Sequence, residues 1–209
     1  MRTRFALIGL VLAAVVVATA AEAQTTTSAD YEWTRRLTAN GFAGAASVPP
    51  DGRFTGGGAV GWGLARRWVI EGSAGWFDLP PGANAYGANL TALLSLGTRR
   101  PALPFVRFGV GMYAASYDAT RIDPPDFYAR RMNAGPTGQR KSFRDPSIVL
   151  GGGVHVLLAR NWALRPEAEV TVALDSGHAY TVVSGVVRIG YAFERRLITP
   201  DRTPDRDRR

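Results

Sequence analysis

Charged residues set two apart in apolar surroundings are the first candidates for chemistry in this chain. Arg165, Glu167 and Glu169 alternate with Leu164, Pro166 and Ala168. Glu71, Arg107 and Arg188 each stand between apolar or small neighbours, and His155 stands between Val154 and Val156. If one interior collects Glu71, Arg107, His155, Arg165, Glu167, Glu169 and Arg188, two chemistries are open to it. Charges in a low-dielectric interior must pair, giving a closed plug from which removing one partner costs about 3–5 kcal/mol. A network able to rearrange would instead gate a narrow pore for ions or water.

A second constellation is Asp175, Ser176 and His178. An acid, a hydroxyl nucleophile and a base would suit a hydrolase acting on lipid at a membrane surface. The spacing matches no known catalytic pattern, it lacks the His-x-Ser arrangement of outer-membrane lipid A deacylases, and Asp-Ser-Gly-His is ordinary turn chemistry. No catalytic residue is assigned. His155 has no second ligand near it in sequence, so a hydrogen bond suits it better than a metal. The chain has no Cys, which removes disulfides and thiolate zinc sites. Gly56-Gly57-Gly58 and Gly151-Gly152-Gly153 lack the GxxxxGK[ST] pattern of a phosphate loop. Strand curvature and close packing account for them better. The sequence calls for no metal and no cofactor.

What must position the lumen charges is a set of strands. Period-2 alternation marks Phe54–Ala65, Trp68–Phe77, Gly87–Gly97, Phe105–Ser116, Ile148–Leu158, Trp162–Leu174 and Val182–Phe193. Leu37–Ser47 is an eighth strand whose facing is ambiguous. In Trp162–Leu174 one face carries Trp162, Leu164, Val170 and Val172, and the other Arg165, Glu167, Glu169 and Thr171. No buried helix or sandwich strand tolerates that. Most segments fit the roughly 9–11 residues that a tilted strand needs to cross a bilayer. The count is even, and an open edge in lipid would leave backbone groups unpaired at several kcal/mol each. The expectation is an all-β fold: a closed eight-stranded antiparallel up-and-down transmembrane β-barrel, preceded by a signal-peptide helix.

The connections alternate in length. Arg66-Arg67, Thr98–Leu103 and Arg160-Asn161 are tight, whereas Asp78–Tyr86, Asp118–Ser147 and Asp175–Tyr180 are longer. Short turns on the periplasmic side and longer loops outside are the rule for such barrels, so both termini are expected in the periplasm. The long third loop carries Arg121, Arg130, Arg131, Arg140, Lys141 and Arg144 against Asp118, Asp123, Asp126 and Asp145. It reads as a solvated loop or as a contact for lipopolysaccharide phosphates or a host surface, through charge-assisted arginine bonds. Trp68, Trp162, Tyr191 and Phe193 are expected at the periplasmic rim and Trp76 near the outer rim, as an aromatic girdle.

The ends of the chain divide off. Residues 1–23 form a secretory signal: Arg2 and Arg4, the uncharged run Phe5–Ala20, then Ala21-Glu22-Ala23 before Gln24. Sixteen helical residues span about 24 Å, short of the ~30 Å hydrocarbon core, so cleavage after Ala23 is expected rather than anchoring. Residues 24–36 form an N-terminal periplasmic segment, 37–193 the barrel, and 194–209 a disordered charged tail. The formal charge is +8 and the pI near 10.5. The arginines form no single stripe, which argues against nucleic acid.

These segments together resemble the small outer-membrane β-barrel domain family of the OmpA transmembrane-domain type. Pro104–Gly111, Gly151-Gly152-Gly153-Val154 and Asn161–Glu167 carry the resemblance. The closing Tyr191-Ala192-Phe193 looks like the aromatic-terminated last strand that barrel-assembly machinery recognises. The resemblance covers about residues 37–193, and departs from many members in the tail that follows Phe193. It implies fold and an outer-membrane location, not an activity; the leading expectation is a monomer in contact with lipid and lipopolysaccharide, with a structural, adhesive or surface-interaction role and no catalysis. A small gated pore is the alternative, and a lipid hydrolase a more distant one. A soluble lipocalin-type barrel would need an apolar interior, which the buried-charge pattern opposes.

Overall fold

The computed structural model describes residues 36–48, 51–97, 102–121, 126–133, 140–158, 161–175 and 178–193. The expected signal segment 1–23, most of the segment 24–36 and the tail 194–209 lie outside them.

Among the described residues there are eight strands: β1 (Leu37–Val48), β2 (Asp51–Ala65), β3 (Trp68–Phe77), β4 (Ala83–Ser95), β5 (Ala102–Asp118), β6 (Arg140–Leu157), β7 (Trp162–Asp175) and β8 (His178–Phe193). Each pairs antiparallel with the next, and β1 pairs with β8 from Leu37↔Phe193 to Ser47↔Val183, closing the barrel. The order is the expected up-and-down one, and closure leaves neither first nor last strand as a bare edge.

Alternation decides what each strand presents. In β7, Ala163, Arg165, Glu167, Glu169, Thr171 and Ala173 are buried, while Trp162, Ala168 and Leu174 are exposed. In β5, Arg107 is 1% exposed, while Val110, three residues on, is 62% exposed. Apolar side chains therefore form the outer skin and charges the interior, the reverse of a soluble barrel. The ambiguous β1 turns Thr38, Asn40, Phe42, Gly44 and Ala46 inward. Its Ala and Gly residues carry too little contrast to mark a face beforehand.

The triple glycine of β6 has a packing role at Gly153. A Cβ there would stand 2.2 Å from the Pro166 carbonyl oxygen and 2.9 Å from Glu167 Cα. Both are backbone atoms that cannot swing aside. Gly153→Ala is expected to cost about 1–3 kcal/mol by overpacking. A urea unfolding midpoint equal to that of the parent chain would refute this.

The third loop differs most from expectation. Asp118–Ser147 is not a loop throughout. β5 and β6 stay paired as far as Asp118↔Arg140, and an α-helix, α1 (Asp126–Asn133), sits between them with Asp126 in its first turn, where a carboxylate suits the helix dipole. Arg140, Lys141 and Arg144 are thus strand residues, Arg121 lies in the turn after β5, and Arg130 and Arg131 belong to α1. Among the described residues β6 pairs with β7 only from Ser147↔Ala173 onward, so Arg140–Pro146 forms a two-stranded ribbon with β5. Clear of the closed wall, its outward positions can be polar. Arg140, Ser142 and Arg144 occupy them, and the hydrophobic alternation that reveals a strand disappears. Pro146 fits here because the ribbon has an unpaired edge, where a missing N–H costs no ladder bond.

Smaller differences have the same cause. β4 begins at Ala83 and β8 at His178, so the expected loops Asp78–Tyr86 and Asp175–Tyr180 are shorter than their polar or small residues suggest.

Candidate functional site: a charged lumen beneath an aromatic mouth

The strands bring Glu71 (β3), Arg107 (β5), Arg165, Glu167 and Glu169 (β7) and Arg188 (β8) into one network. Arg107 Nη1 lies 2.8 Å from Glu167 Oε1 and 2.9 Å from Glu169 Oε2. Its Nη2 donates to Thr91 Oγ1 at 3.1 Å. Arg165 Nη2 donates to Glu71 Oε1 at 2.8 Å, and its Nε lies 3.1 Å from Glu167 Oε2. Arg188 Nε donates to Glu167 Oε1. Asn40 Nδ2 donates to the second oxygen of Glu71 at 3.3 Å. Three guanidinium groups thus meet three carboxylates, and the cluster is formally neutral.

Side-chain exposure in the cluster runs from 0% to 11%, the latter at Glu169. Ions so deep stay ionised only with partners. Two ring faces add to the support: Arg188 lies over Phe42 at 4.2 Å from the centroid, and Arg165 over Phe105 at 5.5 Å. Asn40, Phe42, Thr91 and Phe105 were not among the sequence candidates. Thr91 could have been found from the inward set Asn89, Thr91, Leu93 and Ser95, whereas Asn40 and Phe42 were hidden by the featureless β1.

His155 is buried at the end of the network nearest the start of β1 and the end of β8. It borders a cavity of about 10 Å³ lined also by Thr38, Asn40, Asn161, Arg165 and Tyr191. A second cavity, about 30 Å³, lies beyond the network and is lined by Phe42, Thr55, Ser73, Phe77, Glu169 and Arg188. Each is of the size that holds a water or two. Neither is a conduit, and the charged network stands between them.

Outward of the charges the lumen turns aromatic. Tyr113, Tyr117, Phe143 and Tyr180 are buried there with five alanines, and α1 lowers Tyr128, 0% exposed, among them. Tyr128 Oη donates to Asp145 Oδ2 at 3.0 Å. Burial first, then the Asp145 carboxylate, pushes the Tyr128 phenol far above its usual range, so it stays a neutral donor. At the foot of the loop, hydrogen bonds from the Thr120 hydroxyl and amide hold the Asp118 carboxyl below its ordinary value.

Of the second constellation, Asp175 and His178 face each other across the β7–β8 hairpin, while Ser176 lies outside the described residues. The aromatics expected to form a girdle make ring contacts with their neighbours. Trp162 meets Tyr191 edge-on at 5.2 Å, Tyr191 meets Phe193 at 5.0 Å, and Trp68 meets Phe108 at 6.2 Å. Trp76 meets Phe54 at 6.3 Å towards the opposite end.

Solved structures share this architecture. The N-terminal β-barrel domain of Pseudomonas aeruginosa OprF superposes with a TM-score of 0.56 at 13% identity, covering 77% of this chain and 98% of that one. Neisserial surface protein A gives 0.55 at 12% identity, covering 76% and 96%. The chain has the fold of the eight-stranded outer-membrane barrels. The outer-membrane protein OprG of Pseudomonas aeruginosa is a further match, with a TM-score of 0.50 at 12% identity over 79% of this chain and 99% of that one. No protein-family model matches the sequence, and no curated protein matches it. At such identities the likeness is one of fold.

Proposed function

We propose that this chain is an outer-membrane barrel with a closed lumen, serving as a scaffold that presents its outer ribbon and helix for surface interaction rather than catalysis. The observation that carries the reading is the inverted distribution of side chains: an apolar exterior around a neutral, paired and buried charge cluster. Only a hydrocarbon surround makes that distribution favourable, since the exterior apolar surface would otherwise face water. Lipid is therefore the main partner. Trp68, Trp76, Trp162, Tyr191 and Phe193 suit the two headgroup levels, and the Tyr191-Ala192-Phe193 terminus of β8 suits recognition by barrel-assembly machinery.

The exposed Arg121, Arg140 and Arg144, with Lys141 beside them, favour contact with anionic groups such as lipopolysaccharide phosphates. Arg130 and Arg131 add two basic residues to the sequence of α1. A second reading, a small gated pore, draws on the two water-sized cavities flanking the network.

Cell fractionation and gel mobility with and without heating test the first reading. The folded barrel is expected in the outer-membrane fraction, with a heat-dependent mobility shift; recovery from the aqueous fraction without that shift would overturn it. Planar-bilayer recording separates the two readings. A plug gives no unit conductance, while reproducible channel steps altered by Arg107→Ala or Arg188→Ala would favour the pore.

A further inference from the structure

The two halves of the lumen are filled in different ways. The inner half is filled from the wall itself, by long charged side chains. The outer half is walled by small residues, among them Ala46, Ala85, Ala115 and Ala173, and is filled from above by Phe127 and Tyr128 of α1. Tyr128 stacks on Phe143 at 4.8 Å with 18° between the ring planes, and lies 5.5 Å from Tyr117 and 5.8 Å from Tyr180. Phe127 stacks on Tyr180 at 5.5 Å and 24°.

A stopper needs only bulk, yet this hollow is furnished with polar atoms. Asp145, 3% exposed, takes the Tyr128 hydrogen bond. The hydroxyls of Tyr117 and Ser147, on residues 2% and 3% exposed, have no hydrogen-bond partner among the described residues. Burying such groups is unfavourable unless something supplies the missing bonds. A leucine or phenylalanine wall would fill the mouth without that penalty.

The element that closes the hollow is also weakly self-supporting. An eight-residue helix is well under the length at which helices persist alone in water. It stays in place through the rings it inserts. Such an intramolecular occupant competes with a free ligand on the terms set by its effective concentration.

We propose that the outer mouth is a binding cup for a hydroxylated aromatic ring, and that Tyr128 of the chain itself occupies the cup in the closed form. The ligand ring stacks on Phe143 and beside Tyr117 and Tyr180, its hydroxyl donates to Asp145, and α1 lifts away as it enters. The proposal deepens the scaffold reading and takes from it only which side of the membrane the cup faces.

The probe is p-cresol, the side chain of tyrosine as a free molecule, with toluene as the ring lacking the hydroxyl. Both are titrated against the full chain in detergent micelles. Saturable binding is followed by saturation-transfer NMR, and release of α1 by the rate of trypsin cleavage after Arg130 and Arg131. In the parent chain p-cresol is expected to bind saturably and to accelerate that cleavage. Toluene should bind about tenfold more weakly or worse, lacking a bond to a buried carboxylate. Tyr128→Ala, which removes the internal competitor, should bind p-cresol about tenfold or more tightly than the parent. Tyr128→Phe keeps the ring but not the donor, and should fall between them, which keeps the test informative if the alanine variant does not fold. Cleavage unmoved by p-cresol, equal binding of toluene, or no gain in either Tyr128 variant would overturn the proposal. A retained heat-dependent mobility shift in the same samples would leave the scaffold reading standing.

Discussion

Glu167→Leu is expected to destabilise the barrel by about 3–5 kcal/mol, the largest effect of any single charge replacement in the lumen. Glu167 touches all three guanidinium groups: Arg107 at 2.8 Å, Arg165 at 3.1 Å, and Arg188 through its Nε. Without it, three buried cations face only Glu71 and Glu169, and the excess charge has no solvent to spread into. Urea unfolding of the barrel in lipid vesicles measures the loss. Restoring neutrality is the control. Adding Arg188→Met to Glu167→Leu should recover part of the stability, with a coupling energy within about 0.5–3 kcal/mol. Additive losses in the double variant would show that the cluster does not act as a balanced unit.

Charge added to the other side of the same wall should be nearly as damaging, for the opposite reason. Leu90 sits near the middle of β4 and is 57% exposed. If the exterior faces hydrocarbon, Leu90→Arg places a guanidinium near the bilayer midplane at about 2–4 kcal/mol. Leu96→Arg, just past the end of β4 beside the inner turn, should cost about 0–1 kcal/mol, because the headgroups are within reach. Folding titrations in vesicles give both values. Equal, negligible costs at the two positions would mean that the exterior meets water, and the membrane assignment would fall.

The contrast between these two variants explains how much could be read from the sequence. Arg165, Glu167 and Glu169 announced their face because each is flanked by apolar residues that turn to the opposite, outer face. The same held for Arg107 between Val106 and Phe108, and for Arg188 between Val187 and Ile189. The lumen charges were therefore legible as one set, although which carboxylate meets which guanidinium depends on rung pairings such as Arg165↔Arg188 that no local pattern encodes. Where the β5–β6 ribbon leaves the closed wall, the alternation fades. Arg140–Pro146 reads as loop because water accepts polar groups on both faces, and α1 was missed because eight residues with two aromatics give little periodic signal. Tyr128 was invisible as a site residue for that reason: its importance lies in five alanines on distant strands that leave it room.

The β5–β6 ribbon has one further consequence. From Ser147 to Arg140 the strand advances about 24 Å at ~3.4 Å per residue. With a tilt of about 40°, the tip stands roughly 18 Å above the last rung shared with β7. That height exceeds the ~8 Å screening length at physiological ionic strength. The guanidinium of Arg140, held by Ser116 Oγ at 2.7 Å, is electrically decoupled from charges at the level of that rung. On the proposed scaffold reading, whatever it meets must itself rise to that height, and the ribbon would then be a spacer that selects its contacts by altitude as well as by charge.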